Sequence, residues 1–230
     1  MRNNPGLALI IILIFSVFKA NAQNIETRQT GDFTSFSVMG KIRVEIYPCT
    51  KDSLVLEAEG ATTDYIITDL EDGELNIRLN TDIPKDARVT VQLYYNDLDK
   101  ITAASNALIL SPDTLKAESM SFEVKSGAKM ELTLNMKSII AEVKQGAILV
   151  FYGSVDNQEI GVSSGGTYSA FELKSKNTFI KATTTARAKL TATESIDATA
   201  NTTGYIAYKG NPAKEKIKAN LGGEVVEEEK

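Results

Sequence analysis

The segments FEVKSGAKM (residues 122–130), AEVKQGAIL (141–149) and IGVSSGGTY (160–168) repeat one short pattern, and four further copies extend it in both directions. These are ITAASNALI (101–109), IKATTTARA (180–188), ATANTTGYI (198–206) and IKANLGGEV (217–225). Asn106, Gly127, Gly146, Gly165, Thr185, Thr203 and Gly222 mark the same position in each copy, at spacings of 21, 19, 19, 20, 18 and 19 residues. Five residues before this anchor stand Ile101, Phe122, Ala141, Ile160, Ile180, Ala198 and Ile217. Three before it stand Ala103, Val124, Val143, Val162, Ala182, Ala200 and Ala219. Small residues (Ala107, Ala128, Ala147, Gly166, Ala186, Gly204, Gly223) follow the anchor directly, and two residues further on the apolar column resumes with Ile109, Met130, Leu149 and Tyr168.

A fixed period near 19 with no helical pattern inside it is the mark of a solenoid. Within a copy apolar and polar residues alternate, which buries one side of a strand and leaves the other in water. One copy alone has nothing to bury its apolar side against. Stacked at about 4.8 Å per strand, seven copies build a continuous core roughly 30 Å tall. The expected fold is therefore all-β, a single-stranded parallel β-helix with coils of about 19 residues. The Gly and Asn anchors enter the left-handed region at least cost, which places a bend there. Thr185 and Thr203 are β-branched, so either their two bends differ from the rest or the register slips there by one residue.

Outward from this core, the 230-residue chain has a net charge of −5, no His, no Trp and a single Cys. That balance argues against nucleic-acid binding. Residues 1–22 read as a signal peptide: Arg2, then an apolar run from Leu7 to Phe18, then Ala20-Asn21-Ala22 before Gln23. The run is too short to span a bilayer as a helix, so the mature chain, 23–230, carries no membrane span. The expected destination is the periplasm, the outer envelope or the exterior, with secretion as the route. The mature chain reads as a single β-helix domain, with irregular β structure over 30–100, seven regular coils over 101–225 and an acidic tail at 226–230. In the irregular part Ile42, Val44 and Ile46 alternate strictly, Leu54 to Leu56 and Val89, Val91 and Leu93 form further strands, and Asp72-Gly73 reads as a hairpin turn. These strands are expected to form early coils or a sheet over the first rung. Cys49, after Pro48, reads as a small half-buried residue at a strand end in preference to a reactive thiol or an intermolecular bridge.

The order FTSFSVMGKIRVEI, DYIITDLEDGELNIRL and ITAASNA, followed by Ser126-Gly127-Ala128, Gln145-Gly146-Ala147 and Ser164-Gly165-Gly166, resembles the autotransporter-adhesin head GIN domain family. The resemblance covers about Thr30 to Gly223. It implies a right-handed parallel β-helix of the small exported type common in Bacteroidetes, a domain of unknown function whose adhesin-like label rests on fold. The family assigns no catalytic residues, so none carries over.

Parallel β-helices also host polysaccharide-degrading enzymes, which need a pair of carboxylates or a supported base. Glu123 and Glu142 fall on equivalent outward positions of adjacent coils, but Lys125 and Lys144 stack beside them, so cross-strand ion pairing is the expected role. No catalytic residue is assigned. No metal site is expected, because His is absent and Asp156-Asn157 and Asp97-Leu98-Asp99 are too sparse for calcium; no cofactor is expected either. The EVVEEEK ending discourages edge pairing at the last coil. The candidate ligand face is an outward column on the later coils, Ser163, Thr183, Asn201 and Asn220, which suits either a glycan or plain stacking. Tyr152 and Phe171 lie six residues past their anchors on adjacent coils and form either an aromatic platform or corner packing. The expected function is a non-enzymatic cell-envelope or surface interaction module whose partner is a surface glycan or protein. The alternative is a carbohydrate-binding or polysaccharide-degrading protein on the same scaffold.

Overall fold

The computed structural model describes residues 24–228, so the signal-peptide reading of residues 1–22 lies outside the described residues. One mixed sheet runs through the molecule and winds into a β-solenoid of about seven turns. The regular coils are β8 (Lys100–Ala104), β9 (Leu108–Val124), β10 (Lys129–Val143), β11 (Ile148–Val162), β12 (Thr167–Thr183) and β13 (Arg187–Asn201). They continue into β14 (Tyr205–Lys209), β15 (Lys214–Asn220) and β16 (Glu224–Glu227). All of these pair in parallel, and the pairs are the columns expected from the repeat: Phe122 opposes Ala141, Ala141 opposes Ile160, Ile160 opposes Ile180, and Met130, Leu149 and Tyr168 stack likewise. Val124, Val143, Leu149 and Ala182 have no exposed surface. Phe122 of β9, Phe151 of β11 and Tyr168 of β12 meet edge to face inside the core, with centroids 4.9 and 6.0 Å apart.

Every bend uses two consecutive left-handed residues, the anchor and the residue before it, as in Ser126 (φ 54°) and Gly127 (φ 74°). The N–H after the anchor closes a tight turn, Ala128 to the Lys125 carbonyl at 3.2 Å. The anchor's own N–H donates up the stack, Gly127 to the Gln145 carbonyl at 3.1 Å. The expectation that Thr185 and Thr203 bend differently is overturned: both have φ 59° and keep both hydrogen bonds. Their hydroxyls donate to the preceding carbonyls at 2.7 and 2.6 Å, a contact that offsets the cost of a β-branched residue in this region.

The first strands make two more coils, and space does not follow chain order. β2 (Ser35–Met39) and β3 (Ile42–Pro48) form one coil, β6 (Glu74–Leu79) and β7 (Arg88–Tyr95) another. β2 is sandwiched between β6 and β8, and β3 between β7 and β9. Outside the β6–β7 coil lie three antiparallel strands: β4 (Ser53–Glu59) on β7, β1 (Asn24–Gln29) on β4, and β5 (Ile66–Glu71) on β6 through the Asp72-Gly73 turn. This end is thus both early coils and a covering sheet. Arg28 clamps the cover, reaching Glu26, the Ile66 carbonyl at 2.7 Å and the Thr63 carbonyl at 3.3 Å. Cys49 corrects the half-buried expectation: it is exposed, because the chain leaves the coil at Pro48 and only the Cys49 N–H is held, by the Tyr95 carbonyl.

The far end is built differently. β15 is exposed along its whole length, and the chain's acidic ending joins the last coil, Glu228 N–H donating to the Tyr208 carbonyl at 2.9 Å. Two core columns finish in carboxylates here. Glu215 sits over Ile196, and Glu227 sits over Tyr208. Burial and the Glu215 carboxylate together push the Tyr208 hydroxyl up to about 12.

Candidate functional site

The pairing ladder lapses at Lys137 on both sides of β10 and at Leu132 on its β9 side, which marks corners between the straight runs of the coils. The run leading into the bend, Ser138 to Val143 in β10, is here termed the entry face. Its outward columns are set by period-two alternation. Ser138, Asn157, Asn177, Ser195 and Lys214 form the first, and Ile140, Glu159, Phe179, Asp197 and Lys216 the second. Glu142, Gly161, Lys181 and Thr199 form the third. The last column, beside the bend, holds Thr183, Asn201 and Asn220 in direct register, with Ser163 one coil before.

Side chains in the first column are chained along the stack. Ser195 Oγ donates to Asn177 Oδ1 at 2.7 Å, and Asn177 Nδ2 donates to Asn157 Oδ1 at 3.1 Å. Beside them Ile140 and Phe179 stand 50% and 48% exposed, in one column on either side of Glu159. With Asn157, Asn177 and Asp197 they line a groove of about 530 Å³. The bend column repeats the motif once, Asn220 Nδ2 donating to Asn201 Oδ1 at 3.1 Å. So the Ser163, Thr183, Asn201 and Asn220 column and the groove share one face.

Tyr152 and Phe171 do not join that face. They lie past the bend, and an extra residue in β12 between Ser169 and Leu173 takes Phe171 out of register with Tyr152. Phe171 instead carries Lys209 Nζ at 4.5 Å and Lys189 Nζ at 5.4 Å from its ring centre. The Tyr152 hydroxyl donates to Glu131 Oε1 at 3.3 Å on the coil before.

Glu123 and Glu142 do stack in register. Glu123 takes Lys144 at 2.8 Å and Lys125 at 3.0 Å, and those lysines, Lys144 first, hold its carboxyl below the usual range. Glu142 lies across Gly161, which has no Cβ to obstruct it. A carboxyl held ionised by two cations serves register and solubility and cannot lend a proton at neutral pH. Among the described residues no group of three His, Cys, Asp or Glu is placed to hold a metal ion.

Beneath the entry face lies a polar network that the repeat columns did not reveal. Tyr168 donates to Gln158 Oε1 at 2.6 Å, Gln158 Nε2 to Thr178 Oγ1 at 2.9 Å, and Thr178 to Ser175 at 3.3 Å. All four are buried, and each has a partner. Extending the alignment to seven residues before the anchor would have exposed Gln158 and Thr178 between Ile139 and Ile196. At the next corner Lys137 meets Glu118 at 2.6 Å and Lys176 meets Asp156 at 2.7 Å, a column of alternating charge that penalises a slipped register.

A family model described as "Putative auto-transporter adhesin, head GIN domain" matches residues 32–212. Among solved structures, a "putative adhesin" from Bacteroides fragilis superposes with a TM-score of 0.80 at 16% identity, covering 90% of this chain and 97% of that one. Another, from Parabacteroides merdae, gives 0.71 at 17% identity over 90% and 96%. A third, named "putative lipid binding protein", from Parabacteroides distasonis, gives 0.68 at 17% over 90% and 97%. At these identities the likeness is one of fold. No curated protein matches the chain.

Proposed function

The chain belongs to the auto-transporter adhesin head GIN domain family, and from that membership we propose that it is an exported, non-enzymatic module that holds a surface partner through its entry face. The observation that carries the reading is the pairing of Ile140 and Phe179, exposed in one column, with the Asn157–Asn177–Ser195 ladder beside them. Together they offer apolar anchors flanked by evenly spaced amides and hydroxyls, a pattern suited to a repetitive partner at the cell envelope. The Ser163, Thr183, Asn201 and Asn220 column extends the same face toward the bend. The leader at 1–22 supports export, with the mature chain, 23–230, acting as one domain. The cation-paired state of Glu123 supports binding without chemistry.

The test is direct. The purified mature protein is applied to an array of envelope polysaccharides and surface proteins, beside Phe179→Ser and Asn177→Ala. Binding that falls at least about tenfold in both variants, at unchanged melting temperature, is the expected result, corresponding to about 1.4 kcal/mol. Retention of full binding by both variants overturns the assignment of the face.

A further inference from the structure

The two coils longer than 19 residues place their extra residues at one corner, the one that follows the exit from the bend. In β9 the residues Ser111, Pro112 and Asp113 stand opposite Leu132 alone, which accounts for the 21-residue coil. In β12 the extra residue lies between Ser169 and Leu173, which accounts for the 20-residue coil. Between them β11 keeps unbroken register with β10, Thr133 opposing Tyr152. Bulges re-aim side chains and gather beside functional sites. Here the lower one is fixed by Thr133 N–H donating to Ser111 Oγ at 3.3 Å, and it walls a concavity of about 290 Å³. Gly153, at φ 103°, sets the chain just after Tyr152; a Cβ there would collide with the Leu134 carbonyl oxygen.

Arg43, Glu45, Pro112, Glu131 and Tyr152 line this concavity. Arg43 Nε and Nη2 both donate to Glu45 Oε1, at 2.9 and 2.7 Å, and the Tyr47 hydroxyl donates to Glu45 Oε2 at 2.9 Å. Lys129 pairs with Glu131 Oε2 at 2.8 Å, while Tyr152 is tied to its other oxygen and is 36% exposed as a residue. Arg43 and Lys129 pair with Glu45 and Glu131, Leu110 separates those two carboxylates in their column, and the Asp113 and Glu172 carboxylates lie within electrostatic reach of Tyr47 and Tyr152.

We propose that this corner binds one pyranose unit of a neutral glycan. The volume takes a single sugar ring and is too small for a strand of peptide. The Tyr152 ring offers a flat apolar surface to the C–H face of the sugar, held still by its bond to Glu131. Arg43 keeps unused N–H donors next to the Glu45 oxygens, so neighbouring hydroxyls meet a donor and an acceptor side by side. With carboxylates outnumbering cations around it, the corner selects a neutral sugar over an acidic one. Cleavage does not accompany binding: Arg43 holds the Glu45 carboxyl, and Lys129 the Glu131 carboxyl, below the usual range, so neither supplies the proton a leaving glycosidic oxygen needs. The site lies on a different face from the groove of Ile140 and Phe179 and does not depend on it.

Saturation-transfer NMR of the exported chain with methyl α-D-mannopyranoside, methyl β-D-glucopyranoside and methyl β-D-galactopyranoside tests the site. At least one glycoside gives a transfer signal that is lost in Tyr152→Ala, kept in Tyr152→Phe and weakened about tenfold in Glu131→Gln, while Phe179→Ser leaves it intact. No signal from any of the three, or a signal that survives Tyr152→Ala, overturns the proposal. Release of nitrophenol from the matching nitrophenyl glycosides overturns the claim of binding without cleavage.

Discussion

Val143 has no exposed surface and is stacked between Val124 and Val162, whereas its neighbour Lys144 faces water and Glu123. Val143→Asp places a carboxylate where nothing can pair it and costs several kcal/mol out of a total near 10 kcal/mol. Lys144→Asp loses one surface ion pair and costs no more than about 1 kcal/mol. Thermal melts followed by circular dichroism separate the two, and equal damage from both refutes the column assignment. At this scale the inward and outward choice was legible, because strand alternation has a period of two and the bend recurs at a countable spacing. Thr185 and Thr203 were misjudged for a physical reason: a backbone preference was visible in the residue type, but the hydroxyl bond that offsets it exists only in the folded turn. Cys49 was misjudged because burial at a strand end depends on where the chain goes next.

The antiparallel cover of β1, β4 and β5 is the element whose stability should respond to acid. Hydrogen bonds from Arg28 hold the Glu26 carboxyl down at about 2, against an ordinary value of 4.5. A carboxyl lowered in the folded state adds stability that is complete above its unfolded value and is lost as pH falls through the folded one. Amide protection in β1 is therefore expected to decline between about pH 4.5 and pH 2 while β10 and β11 stay protected, as hydrogen exchange will report. In Arg28→Ala that pH dependence disappears. A flat profile for β1 across the window means the Arg28 clamp does not hold the strand. Of these strands β4 was legible from alternation and the antiparallel β5–β6 pair from Asp72-Gly73, whereas β1 went unread and the partner of β4 was not legible. Alternation is the same in parallel and antiparallel pairs, so nothing local told β4 to run against β7 or placed the β6–β7 coil outside β2–β3. The Tyr152 corner was half legible: its length anomalies could be counted, but Arg43 and Glu45 arrive from a coil with no regular spacing to it.

For the molecule as a whole, the two ends differ in kind. One is covered by strands, and the other carries Glu215 and Glu227 in positions that are apolar on the coils before, where Ile196 and Leu190 stand. Inward carboxylates on a terminal rung forbid another rung from stacking on it. Replacing both, Glu215→Leu with Glu227→Leu, should give a concentration-dependent rise in mass by light scattering relative to the unaltered protein; identical masses would show that the acids do not guard this end. The seven-turn stack was legible in full from the repeat, whereas the guarded end required knowing that these two acids point inward. The order of coils in space also sets a direction for assembly. A chain that has emerged only as far as Pro48 holds one coil, β2–β3, with both edges open. By Tyr95 one edge is closed by β6 and β7, and the other becomes the sole template, onto which β8 and then each later coil is laid. Each later coil can therefore be added in the order in which the chain emerges, on the free edge of the coil before it. Loss of the last coil leaves every earlier pairing in place, whereas loss of β2–β3 removes the rung that joins β6–β7 to the rest of the stack.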